Sequence, residues 1–409
     1  MRQNAQPFSW LVIFICCLCV ANGPVNAQIY GTWTDGDPQK TLRNVHVLGA
    51  ASLLKDGRVV VAGGLDLTSA TPTATTVAEL YDPVKRQWTS AGALKVPRWS
   101  LDAVTLANGK VLFAGGSTGF KSDAAVDSAE LFDPATGEFT SVESTLSIAR
   151  QGYGISLLND GRVILTGGNA AGNNLNGTGV TAVDIYDPAT NRFQPAAPLH
   201  SGRALHAQLT LKDGRVVVIG GAQTDAEIYD PLKNIWTQSP AQLPTTLKDT
   251  KAFELYDGRI FIPGGQNTVD ALTTDATWFF DVATRKFTAG PSLAGFNEAP
   301  SGVQVGTSDY SAWDLFPAGH ALRGRYILIA GGEHDPLTGP DVELNSATIF
   351  DVAQNKFIRV GPMPYVHDDH TESALKMNDA GNPEFLLFGG NSSKGTSRVE
   401  FDAKALQVP

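Results

Sequence analysis

One short element recurs along this chain, and its recurrence limits the available folds more than any other feature. It joins an Asp-Gly or related turn to about four apolar residues and ends in Gly-Gly. Such turns supply the positive φ of a tight hairpin, and the continuous apolar run indicates a strand buried on both faces. The copies are LKDGRVVVAGG (54–64), LANGKVLFAGG (106–116), LNDGRVILTGG (158–168), LKDGRVVVIGG (211–221), LYDGRIFIPGG (255–265), LRGRYILIAGG (322–332) and a weaker EFLLFGG (384–390).

A second element follows six of the Gly-Gly pairs and predicts another hairpin. An alternating strand ends at an aromatic-Asp turn, and a second aromatic six residues after the Asp can pack against a neighbouring sheet. The successive Gly-Gly spacings of 52, 52, 53, 44, 67 and 58 residues leave room for four strands per unit. Four-stranded units repeated in this way predict sheets arranged radially as propeller blades. The copies are AELYDPVKRQW (78–88), AELFDPATGEF (129–139), VDIYDPATNRF (183–193), AEIYDPLKNIW (226–236), TWFFDVATRKF (277–287) and ATIFDVAQNKF (347–357).

The Gly-Gly pair, the Tyr-Asp-Pro turn, the following Trp and an Arg about ten residues later resemble the kelch motif, from about Trp33 to Asp402. The resemblance implies an all-β, seven-bladed kelch-type β-propeller with four-stranded blades, the scaffold that also forms the central domain of galactose oxidase.

The ends of the chain offer two candidates for the outer strand of blade seven. Trp33 is followed ten residues later by Arg43, just as Trp88 is followed by Arg98. This spacing favours residues 29–34 as the closing strand, and residues 405–408 are the alternative. Pairing the two chain ends closes the ring and leaves no open sheet edge.

Residues 1–27 have the pattern of a secretory signal peptide, with Arg2, an apolar run over residues 8–20 and small residues before Gln28. The apolar run is shorter than the roughly 20 residues that a membrane-spanning helix needs. We therefore expect cleavage before Gln28, a propeller domain over residues 28–409, a secreted or periplasmic location and no membrane span after cleavage. A retained membrane anchor is the less favoured alternative.

Charge and cysteine content exclude some function classes. The formal net charge of −10 argues against a nucleic-acid partner, because nucleic-acid binders present a basic face. The galactose oxidase resemblance would imply a copper radical site, which requires a cysteine crosslinked to a tyrosine. All three cysteines, Cys16, Cys17 and Cys19, lie in the leader, so we expect neither a copper radical cofactor nor any other bound cofactor, although a divalent metal stays open.

Basic residues recur in one register that we expect at the mouth of the propeller channel. His46, Arg98, Arg150 and Arg203 each lie seventeen residues before a Gly-Gly pair, and an insertion brings His367 to the same place. In the kelch motif such an arginine usually bridges blades, and we favour that structural role for each arginine. Clustered guanidinium groups would also suit an anionic ligand, so Arg98, Arg150 and Arg203 are candidate ligand-binding residues.

Histidine and aromatic residues near this register supply the other candidates. His46, His367, His370 and Tyr153 are the candidate catalytic residues, because imidazole and phenol groups can transfer protons. His367, His370 and Asp368 could hold a divalent metal, with a hydrogen-bonded loop as the alternative. His206 follows Arg203 by three residues, as Tyr153 follows Arg150, and His206 is a further candidate ligand-binding residue. An Arg, Tyr and His set could abstract a proton beside a uronate carboxylate, although we favour packing between blades for these residues. Trp313 could stack on a sugar face or fasten a surface loop.

Two function classes follow from these residues. The first is a propeller that binds a glycan or protein ligand, which the arginines predict to be anionic, through its loop face at the channel mouth. The alternative is a carbohydrate-active enzyme, either a polysaccharide lyase or a sugar epimerase or mutarotase. We favour binding because no residue pattern has the specificity of a catalytic signature, and whether the protein is an enzyme stays open.

Overall fold

The computed structural model describes residues 31–44, 46–67, 71–119, 125–170, 179–268, 272–293, 310–334, 342–367, 370–388 and 396–401. The leader and its expected cleavage site lie outside these ranges. All regular secondary structure within them is β-strand. Across this described part of the chain, no helix has the length and apolar character needed to cross a membrane.

The strands are, in chain order, β1 (Gly31–Asp35), β2 (Ala50–Leu53), β3 (Val59–Ala62), β4 (Leu65–Asp66), β5 (Thr73–Ala74), β6 (Val77–Asp82), β7 (Gln87–Ala93), β8 (Asp102–Thr105), β9 (Val111–Ala114), β10 (Ala129–Asp133), β11 (Glu138–Ser141), β12 (Gly154–Leu157), β13 (Val163–Thr166), β14 (Val183–Asp187), β15 (Arg192–Pro195), β16 (Ala207–Thr210), β17 (Val216–Ile219), β18 (Ala226–Asp230), β19 (Ile235–Gln238), β20 (Leu247–Lys248), β21 (Phe253–Glu254), β22 (Arg259–Pro263), β23 (Gln266–Asn267), β24 (Thr277–Asp281), β25 (Lys286–Ala289), β26 (Ser311–Asp314), β27 (Tyr326–Ala330), β28 (Glu333–His334), β29 (Val342–Glu343), β30 (Ala347–Asp351), β31 (Lys356–Val360), β32 (Thr371–Ala374), β33 (Glu384–Phe388) and β34 (Thr396–Phe401).

These strands form seven antiparallel four-stranded blades, which confirms the seven-bladed propeller. From the inner to the outer strand, blade one is β2-β3-β6-β7, blade two β8 to β11, blade three β12 to β15 and blade four β16 to β19. Blade five is β21-β22-β24-β25, blade six β26-β27-β30-β31 and blade seven β32-β33-β34-β1. The pairs β4-β5, β20-β23 and β28-β29 form small additional ribbons.

The second strand of each blade is the most deeply buried, as its continuous apolar run predicts. In blade one all four residues of β3 are fully buried, and the same holds for β9 and β17. The turn before β3 contains Gly57 with φ +93°, a conformation that suits glycine because other side chains are strained there. The repeated sequence therefore fixes both the hairpin and its buried strand.

The paired aromatic residues around each Asp turn pack inside the blade and against its neighbour. The rings of Tyr81 and Trp88 lie 5.0 Å apart, and Trp88 also lies 4.5 Å from Phe388 of blade seven. Equivalent pairs, such as Tyr229 with Trp236 at 4.9 Å, recur around the ring. The repeat thus supplies an aromatic wedge that holds the blades together.

The N-terminal strand closes the ring. β1 is antiparallel to β34, with Gly31 opposite Phe401 and Asp35 opposite Ser397. Trp33 packs against the core shared by blades six and seven. This pairing confirms the closing strand that the Trp33 spacing predicts, and the alternative at residues 405–408 lies outside the described residues.

Candidate functional site

The inner strands all begin at the Gly-Gly end of the propeller, so their first residues surround one end of the central channel. A cavity of about 380 Å³ opens there. We call it the mouth cavity, and residues from six of the seven blades line it. Its polar lining consists of Asp102, His206, Asp249, Thr250, Lys251, Tyr310, His370, Thr371 and Glu372.

The basic residues in the seventeen-residue register do not face this cavity. Their side chains are 0% exposed, and each contacts a partner within its own blade; these residues are His46, Arg98, Arg150, Arg203 and His367. Arg98 donates from Nη1 to the Gly115 carbonyl at 2.9 Å and from Nη2 to Glu130 Oε1 at 3.1 Å. The arginines expected at the mouth therefore lie inside the blades, where buried acids neutralise them.

The other basic residues in the register repeat this arrangement. Arg150 donates to Asp184 at 2.7 Å, and Arg203 donates to Glu227 at 2.8 Å. His46 Nε2 lies 3.0 Å from Glu79 Oε2. A basic side chain and a buried acid on the third strand thus form one repeated unit in blades one to four.

Burial and pairing act in opposite directions on these arginines. Burial lowers the pKa of Arg98 below its usual value, and the nearby Glu130 opposes this effect. Burial likewise lowers the pKa of Arg150, and the nearby Asp184 opposes this effect. Each guanidinium is thus held by its acid partner rather than by water.

The backbone of the same residues joins neighbouring blades. The Arg98 carbonyl accepts a hydrogen bond from Gly64 N of blade one at 2.9 Å, and a Cβ on Gly63 would lie only 2.4 Å from that carbonyl. The Arg150 carbonyl accepts one in the same way from Gly116 N at 3.0 Å. This geometry agrees with the blade-bridging role and explains the need for the Gly-Gly pair.

Blade five replaces both members of the pair, and blade seven keeps a histidine but replaces the acid. In blade five, Leu247 stands in the basic position, and Trp278 lies opposite Ile262 where Glu130 lies opposite Phe113. In blade seven, His367 Nε2 lies 2.8 Å from Ser397 Oγ. The buried ion pair is therefore absent from blade five, and in blade seven a histidine–serine contact takes its place.

The Tyr153 hydroxyl forms hydrogen bonds with two backbone groups of blade two. Its hydroxyl donates to the Ala114 carbonyl and accepts a hydrogen bond from Asp102 N at 3.0 Å. Burial raises the pKa of Tyr153 well above its ordinary value. Tyr310 has the same role in blade six, where it contacts Pro263 O and accepts from Lys251 N at 3.3 Å. Tyr153 therefore holds the start of β8 and does not present a reactive oxygen to the cavity.

His206 and His370 line the cavity as neutral imidazoles. His206 Nε2 lies 2.8 Å from Thr166 Oγ1, and His370 Nε2 contacts Ser311 Oγ. Burial lowers the pKa of each to about 3, helped at His206 by nearby arginines and at His370 by Lys251. Neither carries a charge near neutral pH.

The metal hypothesis falls partly outside the described residues, because Asp368 is not among them. The rings of His367 and His370 lie 5.4 Å apart. Within the described part of the chain, no three His, Cys, Asp or Glu side chains come together as a metal-binding group. A metal at Nε2 of His367 would have to displace Ser397 Oγ, which lies 2.8 Å from that nitrogen.

Trp313 lies on β26, away from the mouth cavity. Its ring packs 4.9 Å from that of Phe385, between blades six and seven. Trp313 therefore packs between two blades from an inner strand, rather than from the surface loop that the sequence suggested.

Four charged residues that the register does not include line the cavity instead: Asp102, Asp249, Lys251 and Glu372. The Lys251 ammonium pairs with Glu372, which joins blade five to blade seven across blade six. Asp102 is exposed to the open channel and lines the mouth cavity. Burial raises the pKa of Asp102 to about 6, while Lys251 lowers it and Glu372 raises it, so all three charges face one another.

Strand register could have identified two of these residues. In each blade, one inner-strand residue pairs with the residue that immediately precedes Gly-Gly. In five blades this inner-strand residue is small or hydroxylic: Ala50, Gly154, Ala207, Ser311 and Thr371. It is Asp102 in blade two, and continuing the β21–β22 register places Lys251 there in blade five. A charge at a position that is otherwise small or hydroxylic is the signal.

No family model matches the chain. A galactose oxidase from Gibberella zeae is 23% identical over 273 residues, which cover 64% of this chain and 33% of that protein. Kelch-like protein terF from Aspergillus terreus is 24% identical, covering 62% of this chain and 56% of that protein. Beta-scruin from Limulus polyphemus is 26% identical, covering 55% and 24%. The chain thus spans between about a quarter and about half of these relatives.

Proposed function

Because the chain belongs to the kelch-repeat β-propeller family, we propose that it is a binding propeller whose mouth cavity holds a glycan. One observation carries the proposal: Asp102, Lys251 and Glu372 reach a single cavity from three different blades. Its volume of about 380 Å³ lies within the range of small-molecule sites. Sugar hydroxyls need both donors and acceptors, which the Lys251–Glu372 pair supplies side by side.

The charges of the cavity favour a ligand without net negative charge. The arginines that suggested an anionic ligand are paired with buried acids. The cavity is lined by three carboxylates, Asp102, Asp249 and Glu372, and one ammonium, Lys251. We therefore propose a glycan that is neutral or positively charged. The leader pattern supports export, so we also propose that this glycan is met outside the cytoplasm.

A sugar epimerase or mutarotase is the second candidate function, and Asp102 is the observation that favours it. Burial raises the pKa of Asp102 to about 6, so this carboxyl can both donate and accept a proton near neutral pH. The lyase alternative has less support, since two backbone groups occupy the Tyr153 hydroxyl.

Calorimetry and thermal shift with purified protein and neutral and amino oligosaccharides test the binding proposal. We expect Lys251→Met to weaken oligosaccharide binding at least about tenfold, because the hydroxyls lose a charged donor. Its melting temperature should stay within about 2 °C of wild type, since partly exposed ion pairs add little stability. Lys85→Met is the control, because Lys85 forms an exposed pair with Asp82 at an outer turn.

Binding that survives Lys251→Met unchanged, or that falls equally in Lys85→Met, would overturn the mouth cavity as the site. NMR exchange between sugar anomers, measured with wild type and Asp102→Asn, separates the two functions. Turnover that disappears in Asp102→Asn would favour the epimerase or mutarotase.

A further inference from the structure

The Asp102 carboxylate lacks a counter-ion of its own. Its only hydrogen bond among the described residues comes from the adjacent Ala103 N, at 2.9 Å. The cations around the cavity have other partners: Lys251 pairs with Glu372, and Lys248 lies 3.6 Å from Asp249. Asp102 takes part in no ion pair within the described chain.

A carboxylate that lines an open cavity and forms no ion pair within the described chain is available to pair with a cationic ligand. Burial is the main cause of the raised pKa of Asp102, and Lys251 offsets it only in part. The net charge of −10 also favours the approach of cations over anions. A ligand cation at Asp102 would therefore supply the counter-ion that the described residues do not.

The rest of the lining suits a sugar ring attached to that cation. Gly49, Ala50 and Ala51 leave space on the blade-one side of the cavity, and Leu101 and Leu205 provide apolar contacts. A sugar presents apolar C–H faces and a rim of hydroxyls, which match these residues and the Lys251–Glu372 pair respectively.

We propose that the mouth cavity selects amino sugars, with the ligand ammonium paired to the Asp102 carboxylate and the ring hydroxyls bound by Lys251 and Glu372. This inference rests on the proposed glycan binding and names its substrate class.

The pH dependence of binding should come from Asp102. The other charged or titratable groups around it are Lys251, Glu372, Asp249, His206 and His370. Both histidines stay neutral because their pKa values are lowered to about 3. Affinity for an amino sugar should fall as pH drops from 7 to 5, since Asp102 becomes protonated near pH 6. The ligand amine only gains protons over this range, so the fall would arise in the protein.

Calorimetry at low salt with tetramers of glucosamine, N-acetylglucosamine and glucose tests the proposal. Wild type should bind the glucosamine tetramer at least about tenfold more tightly than the other two, because a charge-assisted contact is added. Asp102→Asn should reduce this preference for the glucosamine tetramer to about twofold or less. Asp56→Asn is the control, because the exposed Asp56 pairs with Arg58 on another turn.

Equal binding of all three tetramers by wild type would overturn the amino-sugar inference and leave glycan binding standing. A preference that persists in Asp102→Asn would also overturn it. Absence of binding to any oligosaccharide would overturn both proposals. The comparison of ligands on wild type needs no variant, so it decides the question even if Asp102→Asn folds poorly.

Discussion

Blades one to four and blades five to seven use the same repeat differently. In the first four, the Gly-Gly spacings of 52, 52 and 53 residues accompany a buried basic residue paired with a buried acid. In the later blades the spacings change to 44, 67 and 58 residues, and both blades five and seven replace the buried ion pair. Two of the three facing charges in the cavity, Lys251 and Glu372, come from this later part.

This difference separates charged residues that stabilise the blades from charged residues that line the mouth cavity. We call the buried, repeated pairs His46–Glu79, Arg98–Glu130, Arg150–Asp184 and Arg203–Glu227 the frame, because they stabilise the blades. In contrast, a charged residue at an inner-strand position that is small or hydroxylic in most blades lines the open cavity. Asp102 is the instructive exception, because it lies in a regular blade only four residues after the frame residue Arg98. Both kinds of position thus occur side by side in blade two.

Removing Gly31–Asp35 should have the largest effect on stability. Blade seven takes its outer strand from the other end of the chain, so the deletion exposes the edge of β34 and removes Trp33 from the core. We expect the melting temperature to fall by more than about 10 °C, with aggregation through the open edge. Differential scanning calorimetry measures this. A silent deletion of residues 31–35, together with unfolding on deletion of 405–409, would place the closure at the other chain end.

Breaking one frame pair should have the next largest effect. Arg98→Met leaves Glu130 buried without its cation and should lower the free energy of unfolding by about 3 to 5 kcal/mol. Arg98→Met with Glu130→Gln should recover much of this loss. The glutamine removes the charge, and its carbonyl oxygen can still accept from Lys95 N, which lies 2.7 Å from Glu130. Urea unfolding of both variants tests the pair, and a double variant no more stable than the single one would contradict it.

The blades and their closure could be predicted from the sequence because short motifs recur at regular spacings along the chain. Gly-Gly pairs, aromatic-Asp turns and the spacing from Trp33 to Arg43 were sufficient for seven blades and their closure. The spacing also predicted the basic register, whose side chains pair within their own blades and whose backbone carbonyls join neighbouring blades.

The cavity could not be predicted in the same way, because its residues meet only across the channel. Lys251 and Glu372 are 121 residues apart and lie on blades that are not neighbours. Their contact depends on the geometry of the closed ring, which no local pattern encodes. The insertion before blade six further obscures the register, and residues 294–309 lie outside the described chain.

Asp102→Asn should have the smallest effect, and its sign depends on pH. The pKa of Asp102 is raised from 3.8 to about 6, so the folded state binds a proton that the unfolded state lacks between about pH 4 and 6. Wild type therefore loses stability as pH rises through this window. Because Asp102 is exposed to the channel, the variant should melt only about 1 °C above wild type at pH 8, and the gap should close below about pH 4. A gap that is independent of pH, or that widens in acid, would contradict the raised pKa of Asp102.

The division between frame and cavity is tested most directly by measuring unfolding and affinity for the glucosamine tetramer in Arg98→Met and Lys251→Met. Arg98→Met should be markedly destabilised yet bind like wild type once corrected for its folded fraction. Lys251→Met should melt within about 2 °C of wild type and lose at least about tenfold in affinity. The reverse pattern, with binding lost in folded Arg98→Met and kept in Lys251→Met, would contradict the account.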